Sequence, residues 1–149
     1  MPASKTPLLI ITCVALLLGG GGWLAINKFG SGPAQPPPLT AEAKSYLKHL
    51  ALSDVQMAAA ESYLKQAVLE IVGAIGNNGD RVIDTIEVNC IFRDAYGQVV
   101  LRERVTVVGR RTGQLKPGDT KGFRLAFDSI PDSWNNQMPE LVIAQISFG

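Results

Sequence analysis

From Thr6 to Asn27 the chain carries no charged side chain, and Lys5 and Lys28 bracket that run. Residues 7–26 read PLLIITCVALLLGGGGWLAI. As a helix rising about 1.5 Å per residue, such a run reaches across a hydrocarbon core of roughly 30 Å. A chain with this feature is exported or membrane-tethered, and everything past residue 38 lies on one side of the bilayer. A cleaved signal peptide is the competing reading, with an apolar core at residues 8–18 and Gly19–Gly22 marking its end. Cleavage needs small residues at −1 and −3. Trp23-Leu24-Ala25 puts Trp23 at −3, and Gly32-Pro33-Ala34 lies far past the apolar core. Cys13 follows Thr12 inside the run and makes a poor lipid-attachment site. The favoured reading is an uncleaved anchor over residues 1–28. Lys5 and the α-amine against Lys28 slightly favour a cytoplasmic N-terminus. Ala15/Gly19 and Gly21/Ala25 are small pairs four apart, a spacing that lets helices approach closely and that lipid also tolerates.

Residues 29–38 read FGSGPAQPPP. Gly and Ser loosen this segment and Pro36, Pro37 and Pro38 extend it, so it reads as a stalk. Residues 39–149 are then a domain of ordinary size, long enough to bury over roughly 60% of its unfolded surface. Of 14 Lys and Arg, only Lys5 and Lys28 precede it, so it sets the other twelve against 13 Asp and Glu. This near-neutral balance argues against nucleic acid as a partner, which a strong basic excess would mark. The chain's 2 cysteines are split, Cys13 in the run and Cys90 in the domain, so no intramolecular disulfide is expected. An exported domain without disulfides fits a bacterial envelope.

The domain alternates as β structure. Ile86, Val88, Cys90 and Phe92 share one face, and Thr85, Glu87, Asn89 and Arg93 the other. Asp94-Ala95-Tyr96-Gly97 has the preferred ends of a type I turn. With a four-residue turn, Phe92 faces Val99, Cys90 faces Leu101, Ile86 faces Val105, and Glu87 meets Arg104 on the outer face. Glu103 then falls inward opposite Val88, which signals a slipped register or a charge guarding an edge strand. Residues 67–75 form a preceding strand ended by Asn77-Asn78-Gly79-Asp80. Leu115-Lys116-Pro117-Gly118-Asp119 is a further turn. Phe123, Leu125 and Phe127 alternate, as do Val142, Ala144, Ile146 and Phe148. Phe92, Leu101, Phe123, Leu125, Phe127, Ile146 and Phe148 are the expected core. Short strands between turn clusters give a sandwich or barrel.

Ahead of them, Ala43, Tyr46, Leu47 and Leu50 repeat at helical spacing behind Thr40, so residues 40–50 read as a short capped amphipathic helix. Residues 50–66 have two readings. Ser53 and Gln56 would cap a helix through Lys65. Alternatively, Leu50/Leu52 and Val55/Met57 form a strand with a one-residue phase slip, which the sandwich needs.

The strand before Gly73-Ala74-Ile75-Gly76-Asn77-Asn78-Gly79-Asp80, the strand ending Phe92-Arg93-Asp94, Gly97-Gln98-Val99-Val100, Leu115-Lys116-Pro117-Gly118 and Phe123 together resemble the bacterial FxLYD-type immunoglobulin-like domains. The resemblance spans roughly residues 67–127. Cys90, Phe92 and Arg93 depart from the name-giving motif, and Asp94 agrees with it. It implies an antiparallel Ig-like β-sandwich in an anchored arrangement, and it implies no reaction. With the short N-terminal amphipathic helix read above and one transmembrane helix ahead of it, the expected fold class is all-β.

Catalytic and cofactor-binding groups do not assemble in the sequence. Gly73-x-x-Gly76-x-x-Gly79 lacks the helix or Gly-Lys-Ser/Thr of a phosphate loop and reads as a turn. His49, the single histidine, falls on the solvent side of the short helix. Cys90 faces inward as a core thiol. Asp80, Asp94, Asp119 and Asp128 are turn formers. No cofactor or metal is expected. Two recognition candidates remain. Arg102 and Arg104, with Arg110 and Arg111, form a basic group that Glu87 and Asn89 partly neutralise. The loop SIPDSWNNQMPE over residues 129–140 offers Trp134, Asn135, Asn136 and Met138 to a partner, unless Trp134 instead caps the core. The expected protein is a non-enzymatic, single-pass module of the bacterial inner membrane. Residues 7–26 would hold it in the membrane, with its domain periplasmic, binding an envelope protein or its own copies. The alternatives are a small-ligand or glycan binder and a cleaved soluble envelope protein.

Overall fold

The computed structural model describes residues 37–61 and 67–149. The apolar run at 7–26 and nearly all of the 29–38 stalk lie outside the described residues. Among those described, no helix is long and apolar enough to cross a membrane. Pro38–Gly149 forms one compact unit.

Helix α1 (Ala41–Tyr46) starts where the Ala43 N–H donates to Thr40 Oγ1 at 3.1 Å, as the sequence leads one to expect. A 3₁₀ turn, Leu47–His49, tightens its end before the backbone extends at Leu50. Six strands follow: β1 (Leu50–Glu61), β2 (Ala67–Asn77), β3 (Ile83–Arg93), β4 (Val99–Val108), β5 (Thr120–Phe127) and β6 (Glu140–Phe148). They make two antiparallel three-stranded sheets, in the orders β1-β2-β5 and β4-β3-β6. Their inner faces share one core, with Ile71, Ile75, Ile86, Cys90 and Phe92 fully buried.

Bulges account for the phases that simple alternation misreads. Ser53 and Gln56 lie in β1, and the phase slip between them is real. Ser53 pairs with Ala74 and Gln56 with Val72, so Asp54 and Val55 together oppose Gly73. Asp54 takes φ 53°, which a short polar side chain tolerates. Gly73 has no room for more: a Cβ there would lie 2.6 Å from Phe123 Cζ. Gly73 and Gly76 therefore belong to β2, and of the three spaced glycines only Gly79 lies in the turn.

The β3–β4 hairpin is shifted by two residues from the expected register. Phe92 pairs with Leu101, Cys90 with Glu103 and Val88 with Val105. The Asp94–Gly97 turn forms, with Asp94 Oδ1 accepting from the Tyr96 and Gln98 N–H groups. Gly97 takes φ 81°, and the ladder then slips again between Phe92 and Arg93. A shift of two keeps every side chain on its face. Glu103 thus remains on the inner face of an edge strand, exposed beside the buried Cys90. Glu87 still reaches Arg104, diagonally rather than directly opposite.

In β6, Glu87 pairs with Gln145 and Val88 with Ile143, leaving Ala144 as an extra residue. The face reverses there. Leu141 and Ile143 pack inward, whereas Val142 points out at 39% exposure, against the expected alternation. Phe92, Phe123, Leu125, Phe127 and Ile146 are buried as expected, while Leu101 and Phe148 are only half-buried. Each of those two sits on an edge strand that has no neighbour on one side.

The sandwich has two distinct poles. The chain enters at the proximal one, which Asn77 organises. Asn77 is fully buried, the only such polar residue among those described. Its Oδ1 accepts from Tyr46 Oη (2.8 Å) and the Gly79 N–H (3.0 Å), and its Nδ2 donates to the Arg81 (2.7 Å) and Leu115 (3.1 Å) carbonyls. One side chain thereby joins α1, the β2–β3 turn and the segment before β5. Arg81 covers the Phe148 ring at 3.7 Å and pairs with Glu42. The opposite pole lies at the other end of β3, whose 11 residues extend about 35 Å.

Candidate binding site

The distal pole is built by the β3–β4 hairpin tip, the end of β5 and the loop from Asp128 to Pro139. That loop is fastened to the hairpin by backbone bonds. The Asn135 N–H donates to the Arg93 carbonyl at 3.0 Å, and Asp94 and Trp134 form an isolated bridge. The Trp134 N–H donates to the Pro131 carbonyl at 3.0 Å, closing a turn that turns the indole inward. Its ring meets Phe92 edge-to-face at 5.7 Å, and Phe92 meets Phe127 in the same way at 5.1 Å. Trp134 therefore does cap the end of the core.

It also walls a cavity of about 560 Å³ at this end of the sandwich. Leu69, Phe127, Ile130 and Pro131 supply an apolar interior, with Asp128, Asp132 and Asn136 among the polar lining. Trp134 Nε1 is buried and has no acceptor among the described residues. A buried N–H without a partner is costly, about 1–3 kcal/mol. The same pole exposes Tyr96 (91%), Val99 and Met138.

The structure divides the recognition residues inferred from sequence. Trp134 and Asn136, which takes φ 59°, line the large cavity. Asn135 and Met138 turn to the other side of the loop, where they line a smaller hollow of about 110 Å³ with Ile91, Arg93 and Glu140. Arg102 is exposed and pairs in register with Ile91, on the outer face of its sheet, and lines neither hollow. Arg104 is occupied: it forms an ion pair with Glu87 and donates to Gln145 Oε1 at 2.6 Å. Arg110 and Arg111 lie in the turn past the proximal end of β4, whose last residue, Val108, is about 13 Å along the strand from Arg104.

The remaining reactive residues stand apart. His49 is half-buried, its ring 5.1 Å from that of Tyr46, and does not face solvent as the helical spacing suggests. Cys90 is a buried free thiol. Burial, and secondarily the charge of Glu103, push its pKa up to about 11. Among the described residues no three His, Cys, Asp or Glu side chains gather as a metal site. Asp128, which its sequence context marks only as a turn former, reaches the cavity rim together with Asp132. Leu69 and Phe127 come to it from strands distant in sequence, and no local pattern marks them.

No protein-family model and no curated protein matches the chain. Solved structures similar to it include Northeast Structural Genomics Consortium target SoR45. That chain is 13% identical, with 68% of this chain and 86% of that one covered at a TM-score of 0.43. Another is the putative ApaA protein from Bordetella pertussis, 19% identical, with 66% and 90% covered at a TM-score of 0.38.

Proposed function

We propose that this chain is a non-enzymatic, membrane-anchored module of a bacterial envelope. In this reading its sandwich docks a partner protein, or another copy of itself, through the distal pole. The observation that carries the reading is Trp134. Its indole walls an open hollow with Leu69, Phe127, Ile130 and Pro131, a surface that an apolar group of a partner can fill. Exposed Tyr96, Val99 and Met138 surround it, the residue types that anchor interfaces. The pole lies opposite the point where the chain enters the domain, so a tether there leaves it free to meet a partner. The apolar run at 7–26 supports an inner-membrane anchor with a periplasmic domain. An Ig-like assignment, and with it the FxLYD-type resemblance, draws support from strand order. β1, β2 and β5 share one sheet while β3, β4 and β6 share the other, as strands A, B, E and C′, C, F do in such sandwiches.

A photo-crosslinking residue placed at Met138 or Tyr96 of the full chain tests the docking pole in membranes. Discrete adducts are expected from both sites and none from Gln56, on the outer face of β1. Equal labelling from Gln56, or none from the distal pole, would overturn the reading. A second reading, a small-ligand or glycan binder, is favoured by cavity size, since about 560 Å³ falls in the range of ligand pockets, roughly 300–1,000 Å³. Saturable Trp134 emission changes with an envelope metabolite or glycan would establish it.

A further inference from the structure

The distal cavity combines two features that restrict its occupant. Its interior is apolar. Its rim carries Asp128 and Asp132, both exposed, and no Lys or Arg lines it among the described residues. Neither aspartate takes part in an ion pair among those residues.

We propose that the cavity receives a short segment of a partner polypeptide in which a large apolar side chain is followed by a basic one. This rests on the reading of the distal pole as a docking surface and specifies what it docks. The apolar side chain fills the space against Leu69, Phe127 and Ile130. The basic group reaches the rim carboxylates and remains hydrated there. An acidic segment meets two like charges instead. The cavity is the size that encloses a drug-sized group, so it takes a few residues of extended chain and not a helix.

The test uses the full chain in nanodiscs of zwitterionic lipid, with Trp23→Phe so that Trp134 is the sole indole of the original 2. The probes are acetylated, amidated peptides of sequence Gly-Phe-Arg-Gly, Gly-Phe-Glu-Gly and Gly-Ala-Arg-Gly, titrated against Trp134 emission. The Phe-Arg peptide is expected to bind about five-fold more tightly than the Phe-Glu peptide, as rim charges in water allow. It should bind at least roughly ten-fold more tightly than the Ala-Arg peptide, which lacks the buried side chain. Asp128→Asn with Asp132→Asn should bring the Arg and Glu peptides within about two-fold of each other at an unchanged melting temperature. Equal binding of the Arg and Glu peptides by the unaltered rim would overturn the proposal and leave docking at this pole standing. Binding of N-acetylphenylalanine amide as tight as that of the Phe-Arg peptide would assign the cavity to a small ligand and also overturn it. No response to any probe would refute the proposal. The docking reading would then be judged separately by crosslinking from Met138.

Discussion

Asn77→Asp tests how the proximal pole is held. The substitution keeps the shape of the side chain and both bonds that Asn77 accepts, from Tyr46 Oη and the Gly79 N–H. It replaces the two donations to the Arg81 and Leu115 carbonyls with an oxygen turned toward them. Each lost bond removes about 1 kcal/mol net. The larger effect is a fully buried carboxylate with no cation to compensate it, about 3–5 kcal/mol. Arg81 does not help, because its guanidinium is held over Phe148 and against Glu42. Burial raises the folded-state pKa of the new carboxyl above its unfolded value. The variant therefore keeps its stability at low pH and loses it as pH rises through the folded pKa. Protonation also restores one donor. Urea denaturation of residues 38–149, followed by near-ultraviolet circular dichroism, should give a destabilisation of about 3–5 kcal/mol at neutral pH. Near pH 4.5 it should shrink to about 1–2 kcal/mol. A loss below about 1 kcal/mol at neutral pH, or one that does not change with pH, would refute the account of Asn77 as a dry, fully engaged junction.

Other consequences follow from the same contacts. Phe92→Ala should cost about 3–5 kcal/mol, because Phe92 is fully buried between Phe127 and Trp134; an unchanged melting temperature would contradict its place in the core. Trp134→Phe removes a buried donor that has no partner among the described residues, so stability should hold or rise by up to about 1 kcal/mol in chemical denaturation while partner crosslinking from Met138 falls. Gly79→Ala should destabilise by about 1–3 kcal/mol, since a Cβ at Gly79 would run into the Tyr46 hydroxyl and ring edge; a variant as stable as the parent would contradict that packing. With Cys13 replaced by Ser, the Cys90 thiol should resist alkylation in the native protein. Because its pKa is raised to about 11, the unfolded thiol ionises first. Stability should then decline by up to about 2–3 kcal/mol between roughly pH 9 and 11, a decline that Cys90→Ala abolishes.

Sequence alone determined what depends on neighbours in the chain. Thr40 capping, the Asp94–Gly97 turn, the β3 faces and the inward position of Cys90 follow from local propensity and a period of two. The phase slip near Asp54 was also legible, because a bulge leaves two same-face runs out of step. The bulge at Ala144 was not, since Val142, Ala144, Ile146 and Phe148 keep perfect alternation in sequence. Only the partner strand β3 shows that one residue is skipped. The two-residue shift of the hairpin was hidden for the same reason, as an even shift leaves every face unchanged. Asn77 read as one turn residue among several, and its four partners come from three segments brought together only by folding. The candidate site divides in the same way. Trp134 stood out as a large aromatic in a long polar loop. The cavity beside it required Leu69, Phe127 and Asp132 to converge from separate strands and a loop. Local patterns record which way a side chain points, and long-range packing decides what it meets there.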